Sequence, residues 1–570
     1  MSPVGAFSQA AVLAGATPSI PAYSLGARAA HLERLRRGAF DLVVVGGGIT
    51  GAGVAWDAAA RGLRVALVEQ ADFAGGTSSR SSKLIHGGLR YLAQGHLQLT
   101  REAVAERGRL RRLAPHLVEL LPFAFPIVHG PLQRAKLTAG LWLYDAFAAG
   151  AGAPRHTWLD RAATLARAPG LAPGRLSGAF VYTDARTDDA RLVLEVLRAA
   201  VAHGATVANY VAMQGLLTAK GRAIGVAAED RLTGTPLEIQ GQIVVLAAGV
   251  WLDQVLPPRS RGRPRVRPAK GVHLYLPSDR FPRDTALYLS TAADGRLVFV
   301  VPWLGRTLVG TTDTEYRGDL AAPRATADDV RYLLDAVNRA FPDAALTPAA
   351  VLNTQAGLRP LVALRAGSTP SLSRGDRIFE TETGAIAIAG GKLTTFRLMA
   401  EKVVDRAARR LTGPRGAGRS PTARLPLAGF PRPLAAAAYE AWRRAALDGT
   451  PHRGDDVRPR RARLVERYGA HHAAVEALIA EDAALAAPLV PGQPALRAEA
   501  LFAIRHEQAM SVADVLAQRL RLALLAADQG RQAAAAVADL LAREHRWSSE
   551  QRQAALAAYA ADAAQYAVPA

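Results

Sequence analysis

The sequence predicts an α/β fold: a domain opened by a βαβ unit and interleaved with an antiparallel sheet, followed by a C-terminal helical domain. Three observations carry this. The stretch FDLVVVGGGITGAGVAWDAAARGLRVALVEQ, residues 40 to 70, alternates apolar run, glycine turn, Ala-rich run and second apolar run. The middle of the chain is rich in short β-type segments. Beyond residue 432 Ala, Leu, Arg and Glu dominate at helical spacing.

Taken in order, residues 1 to 37 begin with an Ala/Gly/Pro/Ser mixture and are expected to be a disordered tail; they lack the basic start and continuous apolar centre of a secretory signal. The apolar run 42 to 45 is expected as a strand. A helix follows from about Ile49 to Arg61 with Gly62 as its stop, then a strand from Val65 to Val68. Helical pattern covers 97 to 114 and 188 to 203, the latter opening on Thr187-Asp188-Asp189, a cap and an acidic first turn. A hairpin is expected around Thr233-Gly234, then a buried strand, Ile243 to Ala247, that ends at Gly249 and can return to the first sheet. GRLVFVVPW and RTLVGTTD read as antiparallel strands of a separate sheet. GAIAIAGGKLTTFRLMAEKVVDRAARRL repeats the strand, Gly-Gly, helix theme, so the first domain closes late and spans 38–412. Residues 413–432 form a Pro/Gly/Arg linker, and 433–570 the helical domain.

Composition bounds the chemistry. At 570 residues the chain is long enough for several domains. It has no cysteine, which excludes disulfides, thiolate metal sites and a redox-active dithiol, so any redox chemistry needs a bound cofactor. No metal-ligand spacing is present, and no metal is expected. There is no run of eighteen apolar residues of the kind that spans a bilayer. Lys and Arg number 70 against 49 Asp and Glu, a formal charge of +21. Such an excess suits nucleic acid, an anionic lipid surface or a phosphorylated substrate; it also suits a merely Arg-rich composition. The arginines are dispersed and no recognition module accompanies them, so nucleic acid is not expected as a partner.

Gly46-x-Gly48-x-x-Gly51 has the spacing that lets a backbone turn approach a pyrophosphate, with Glu69 placed to bond ribose hydroxyls. Two more glycine-bearing elements lie far along the chain, LAAG at 246 to 249 and AGGKLTT at 389 to 395. A cofactor held along its whole length by distant segments points to FAD rather than a nicotinamide. A helix beginning after Gly390-Gly391 could direct its positive end toward the flavin ring. Thr77 to Ser82 offers hydroxyls for the pyrophosphate and ribityl groups, and Gly87-Gly88 lets main chain pass close to a flat ring. His86 and Arg90 then flank the glycines as a base and a fixed cation, although His86 reads equally well as a structural histidine.

Together VVVGGGITGAG, TSSRSSKLIHGGLRYL, YTDARTDDARLVL, LVGTTDT, AGLRPL and GGKLTTFR resemble the FAD-dependent, quinone-linked glycerol-3-phosphate dehydrogenases from about residue 40 to the C-terminus. The resemblance implies an FAD-binding Rossmann-like domain, oxidation of sn-glycerol 3-phosphate to dihydroxyacetone phosphate, and electron transfer to a membrane quinone. It implies that Gly46, Gly48, Gly51 and Glu69 hold the adenosine half of FAD. Thr77, Ser78, Ser79, Ser82 and Lys83 would line its middle, and Gly249 with Gly390, Gly391, Leu393 and Thr394 would complete the site. It further implies that Arg90 and Arg359 grip the substrate phosphate, that Lys392 lies beside flavin and substrate oxygens, and that His86 is the favoured proton acceptor. Ala248, Val250, Val272 and Phe396 depart from the hydroxyl or proline residues common in the family; none of them removes a cation.

In residues 131 to 147, Leu137, Leu141 and Tyr144 share one helical face with Trp142 adjacent, after Arg134 and Lys136. This is expected to dock on an anionic membrane surface, placing the protein in the cytoplasm at the inner face of the cytoplasmic membrane. A core helix has the same pattern. An oxidase passing electrons to dioxygen, a basic nucleic-acid-binding protein on a flavoprotein scaffold and a flavin-free homologue are the rivals. Arg505-His506-Glu507 reads as a solvated or domain-interface turn, and a homodimer is left undecided.

Overall fold

The computed structural model describes residues 27–569 except 94, 129, 151, 259–265, 292–293, 363–374, 412–415, 417, 428, 431 and 449–456. Its architecture is mixed α/β with two sheets and a helical C-terminal region. The first sheet runs in the order Asp376–Glu380, Ile386–Gly390, Thr235–Leu246, Ala39–Val45, Val65–Val68, Thr206–Ala208. Its four central strands are parallel: Val45 pairs with Leu246 on one side and Val68 on the other, and Leu246 with Ala387. Such strands are covered on both faces and therefore read as continuous apolar runs. Leu42 and Val44 pack under helix Ile49–Ala60, while Val43 and Val45 face a second core.

That second core corrects the expectation of a disordered tail for residues 28 to 37; residues 1 to 26 lie outside the described residues. Residues Arg28–Arg37 form a helix that buries Leu32 and Leu35 against the sheet. Arg28 pairs with Asp230 at 2.5 Å, and Val207 N donates to His31 Nδ1 at 2.9 Å. The apolar positions 32 and 35 lie on one helical face, a signal too short to stand out from the low-complexity stretch before it.

The second sheet is largely antiparallel: Thr314–Glu315, Val266–Pro277, Arg306–Gly310, Leu297–Trp303, Ala286–Ser290, Glu119–Ile127, Gly178–Arg186, Leu84–Ile85. Asn353–Val362 pairs with Val266–Pro277 along nearly its whole length. Helix Ala327–Ala340 closes one face of this sheet, begun by a reciprocal capping box between Thr326 and Asp329. Helix Pro131–Ala148 closes part of the other.

From Ala436 onward the described elements are helical. This region is fastened to the first sheet's side by buried ion pairs. Glu507 accepts from Arg191 and Arg198 of helix Asp189–Ala202, and Arg519 pairs with Asp72. The turn at 505–507 is thus a domain interface, with Glu507 fully buried; Arg505 pairs outward with Glu544 at 2.8 Å.

Candidate functional site

The carboxyl ends of the parallel strands converge on one elongated cavity, where ligands of open α/β sheets bind. Its lining includes Val45, Gly46 and Gly48, then Glu69, then Thr77 and Ser78, then Ala248 to Trp251, and finally Gly390 to Leu393. The three sequence-distant glycine elements therefore meet in one place. Gly46 has a φ of +114°, and a Cβ there would come within 2.5 Å of the Ala247 carbonyl oxygen. Gly48 precedes helix Ile49–Ala60, and Gly48, Ile49 and Thr50 line the cavity, so the N-terminal end of this helix faces it. Gly51 lies outside the lining; it sets helix against turn so closely that a Cβ would stand 1.8 Å from Gly46 O. Ser78 Oγ accepts from Ile49 N at 2.9 Å and so caps this helix. Glu69 accepts from Gly47 N at 2.6 Å and Ala71 N at 3.0 Å. Burial pushes its pKa up, and these two donors oppose the shift.

A second cavity opens through the first, sharing Thr77, Pro360, Gly391 and Lys392. It brings together His86, Arg359 and Lys392, separated by up to 306 positions in the sequence as His86 and Lys392 are. Ser82 lines it too, with Oγ 2.9 Å from His273 Nε2. Burial holds the His273 pKa well below its ordinary value, so the ring is neutral. Lys392 Nζ stands 4.0 Å over the Tyr91 ring, and the His86 and Tyr91 rings stack at 6.4 Å. The His86 N–H donates to Thr394 Oγ1 at 3.2 Å, which ties the histidine loop to the Gly390-Gly391 turn. Arg359 donates to Asp313 Oδ1 at 3.0 Å, Thr311 Oγ1 at 2.9 Å and Thr312 O at 3.0 Å, so the guanidinium is fixed before any ligand arrives.

Three expectations are corrected. Lys83 does not line the cofactor: its fully buried Nζ donates to Ser79 O at 2.5 Å and to the Asp189 carboxylate at 2.9 and 3.0 Å. Burial, together with nearby Arg521, pushes its pKa down to about 8 against the pull of Asp189. Ser79 likewise faces away, its Oγ directed at Gly76 O, while Ser81 reaches the cavity instead. The face of helix Pro131–Ala148 carrying Leu141 and Tyr144 is the core face, with Tyr144 Oη donating to Asp184 at 2.6 Å. The exposed face carries Leu132, Ala135, Lys136, Ala139, Trp142 and Leu143, with Leu132 66% and Trp142 57% exposed. Arg90 belongs to helix Leu89–Ala93, and its side chain lies outside the described residues.

Several lining residues carried no role in the sequence reading. Thr311 and Asp313 sit in the quoted LVGTTDT and Tyr91 in GGLRYL, so motif membership was their signal. Trp251, Tyr288, Arg296 and Phe299 had none. The departures also find their places. Phe396 is fully buried, packed against Gly53 of helix Ile49–Ala60, and the Val272 N–H donates to Thr312 Oγ1 at 3.0 Å.

An elongated glycine-lined cavity at the ends of parallel strands, opening into a small basic chamber, defines a dinucleotide-dependent oxidoreductase. The lining fits FAD. The helix N-terminus behind Gly48 would take the pyrophosphate and Glu69 the ribose, and the turn at Gly390 and Gly391 lines the cavity while packing tightly on the chain, a Cβ coming 2.5 Å from Gly375 O at the first and 2.2 Å from Met399 Cε at the second.

Comparisons agree with this class. A family profile described as FAD dependent oxidoreductase matches residues 41–406, and one described as the C-terminal domain of alpha-glycerophosphate oxidase matches 420–552. The glycerol-3-phosphate dehydrogenase of Mycobacterium leprae is 41% identical over 544 residues, covering 95% of this chain and 91% of that one. The aerobic glycerol-3-phosphate dehydrogenase of Staphylococcus aureus is 41% identical over 386 residues, 67% of this chain and 69% of the relative. A crystal structure of the Bacillus halodurans glycerol-3-phosphate dehydrogenase complexed with FAD superposes with a TM-score of 0.78 at 32% identity, covering 96% of this chain and 99% of that one. The chain belongs to the FAD-dependent glycerol-3-phosphate dehydrogenase and oxidase family of flavoenzymes.

Proposed function

We propose that the protein oxidises sn-glycerol 3-phosphate to dihydroxyacetone phosphate and passes the electrons to a membrane quinone. The observation that carries this is the basic chamber, where His86, Arg359 and Lys392 converge beside the inner end of the cofactor cavity. Bound FAD would supply the acceptor for the hydride leaving C2 of the substrate. Arg359, held by Asp313 and Thr311, presents its fork to the substrate phosphate. His86 takes the C2 hydroxyl proton, and Lys392 stabilises negative charge developing on that oxygen. Arg90 joins the phosphate clamp by the family resemblance. Tyr91, Tyr288 and Phe299 wall the chamber and limit water.

Support for a quinone acceptor comes from the relatives, which are named as dehydrogenases, and from the apolar stripe of Leu132, Trp142 and Leu143 on an exposed helix beside Lys136. We place this stripe on an anionic lipid surface, at the cytoplasmic face of the membrane. Among the described residues no helix is long and apolar enough to cross a membrane.

The test is anaerobic. Adding sn-glycerol 3-phosphate to the purified holoenzyme should bleach its visible flavin band, and a soluble quinone analogue should restore it faster than air. Flavin that stays oxidised would refute the substrate. Faster reoxidation by air, with hydrogen peroxide released, would make the protein an oxidase.

A further inference from the structure

The loop 77–83 separates the two cavities. Thr77, Ser78 and Ser81 line the cofactor side, and Thr77 and Ser82 line the substrate side. What fixes this loop from behind comes partly from the other end of the chain. The Ser79 carbonyl, turned away from both cavities, receives Lys83 Nζ at 2.5 Å, Gln355 Nε2 at 3.0 Å and Arg521 at 3.2 Å. Asp189, at the first turn of helix Asp189–Ala202, accepts from Ser81 N at 3.1 Å, Ser81 Oγ at 2.7 Å, Lys83 Nζ and Arg521. Asp188 balances the set, 3.2 Å from Arg521 Nε. Lys83 and Arg521 thus face Asp189 and Asp188 with almost no exposure to water, Lys83, Asp189 and Arg521 at most 1% exposed and Asp188 8%, and Arg467 stands 3.7 Å from the other Asp188 oxygen.

Arg521 itself adopts a φ of +63°, which an L-residue accepts only where its surroundings over-determine it. A guanidinium buried so deeply needs partners; here they are Ser79 O of the cofactor loop, Asp189 and Asp188 behind it, and Ala517 O of its own region at 3.2 Å. Nearby, Arg80 of the same loop reaches Gln565 Oε1 at 3.0 Å, a second tie to the C-terminal region.

We infer that Arg521 is a positioning residue for the flavin site: the C-terminal helical region sets the geometry of the cofactor loop through this clamp, and so tunes FAD affinity without touching FAD. The inference depends on FAD binding alone and is independent of the substrate and the electron acceptor.

The test uses the full-length holoenzyme. Arg521→Gln should weaken FAD binding by about ten-fold or more, the factor that one lost charge-assisted hydrogen bond corresponds to, and should alter the flavin's visible circular dichroism. Excess FAD should restore turnover, and Arg521→Lys should recover part of the affinity. Arg505→Ala, which breaks the outer Glu544 pair of the same region, should leave FAD affinity unchanged. An Arg521→Gln protein with lowered melting temperature but unchanged FAD affinity and circular dichroism would overturn the inference, reducing Arg521 to a structural pin. Should the glutamine variant not fold, the wild-type protein decides by hydrogen exchange in rising urea. The Ser81 and Lys83 amides should lose protection together with residues 514–525 and before the parallel strands; loss in step with the strands would overturn it.

Discussion

Gly51→Ala tests how closely the nucleotide turn is built. A Cβ at this position would stand 1.8 Å from the Gly46 carbonyl oxygen and 3.0 Å from its carbon, with Val44 Cγ1 at 3.4 Å. The obstacle is backbone, so no side chain can rotate away. Reaching even 3.0 Å, the closest approach real Cβ atoms tolerate, requires the helix to retreat by roughly 1.2 Å. Overpacking of this kind costs about 3 kcal/mol at the severe end of its range. The same retreat withdraws the helix N-terminus from the pyrophosphate position, so that loss falls on FAD affinity as well, at about 100-fold. The assay is FAD titration of apoprotein, followed by flavin fluorescence, with thermal unfolding in parallel. Gly140→Ala is the control. That glycine lies within helix Pro131–Ala148 with nothing within 4 Å of a new Cβ, and the substitution should stabilise by about 0.5–1 kcal/mol. A Gly51→Ala protein that binds FAD as the wild type does would refute the packing argument.

Further outcomes concern the chamber, the surface and pH. Arg359→Ala should raise KM for the phosphorylated substrate roughly 10- to 100-fold and leave oxidation of glycerol nearly unchanged; equal losses for both substrates would remove Arg359 from phosphate recognition. His86→Ala should lower kcat by roughly 100-fold or more with FAD retained at full stoichiometry, and normal turnover would dismiss it as the proton acceptor. The double change Leu132→Asp and Trp142→Asp, both on exposed positions, should abolish co-sedimentation with anionic phospholipid vesicles at unchanged melting temperature. If vesicle binding survives, the docking face lies elsewhere; if a dimer becomes a monomer, the stripe is a subunit interface. Burial pushes the His116 imidazole down to about 3, so below the unfolded value near 6.5 only the unfolded chain takes up the proton. Stability should therefore fall as pH drops, by about 2 kcal/mol from this residue at pH 5, and denaturant unfolding of His116→Phe should show a correspondingly shallower pH dependence.

Local patterns were legible where they act over a few residues. The glycine turn at 46 to 51, the helix after it and the strand at 65 to 68 follow from spacing alone, and the structure places helix Ile49–Ala60 within a residue of that reading. The hairpin was equally plain, because turn chemistry at Thr233-Gly234 breaks two alternating runs, and the buried strand expected at Ile243 to Ala247 is the end of the hairpin's own second arm, Thr235–Leu246. Orientation was not legible. Helix Pro131–Ala148 is apolar on two faces, and periodicity cannot say which of them meets the core; the structure buries Leu141 and Tyr144 and exposes Leu132 and Trp142. Lys83 shows the same limit. A lysine among serines in a cofactor loop reads as a ligand-facing cation, yet Asp189, 106 residues away, turns it inward.

The sequence by itself determined the class of cofactor, the glycine elements that line the cavity and the order in which they occur, since backbone turns and helix starts are written in short-range spacing. Tertiary structure alone decided which residues meet. It closed His86, Arg359 and Lys392 around one chamber, fixed Arg359 on Asp313, and drove Arg521 from the C-terminal region into the back of the cofactor loop. Those contacts depend on long-range burial and charge pairing, in which each partner is specified only by where the rest of the chain packs.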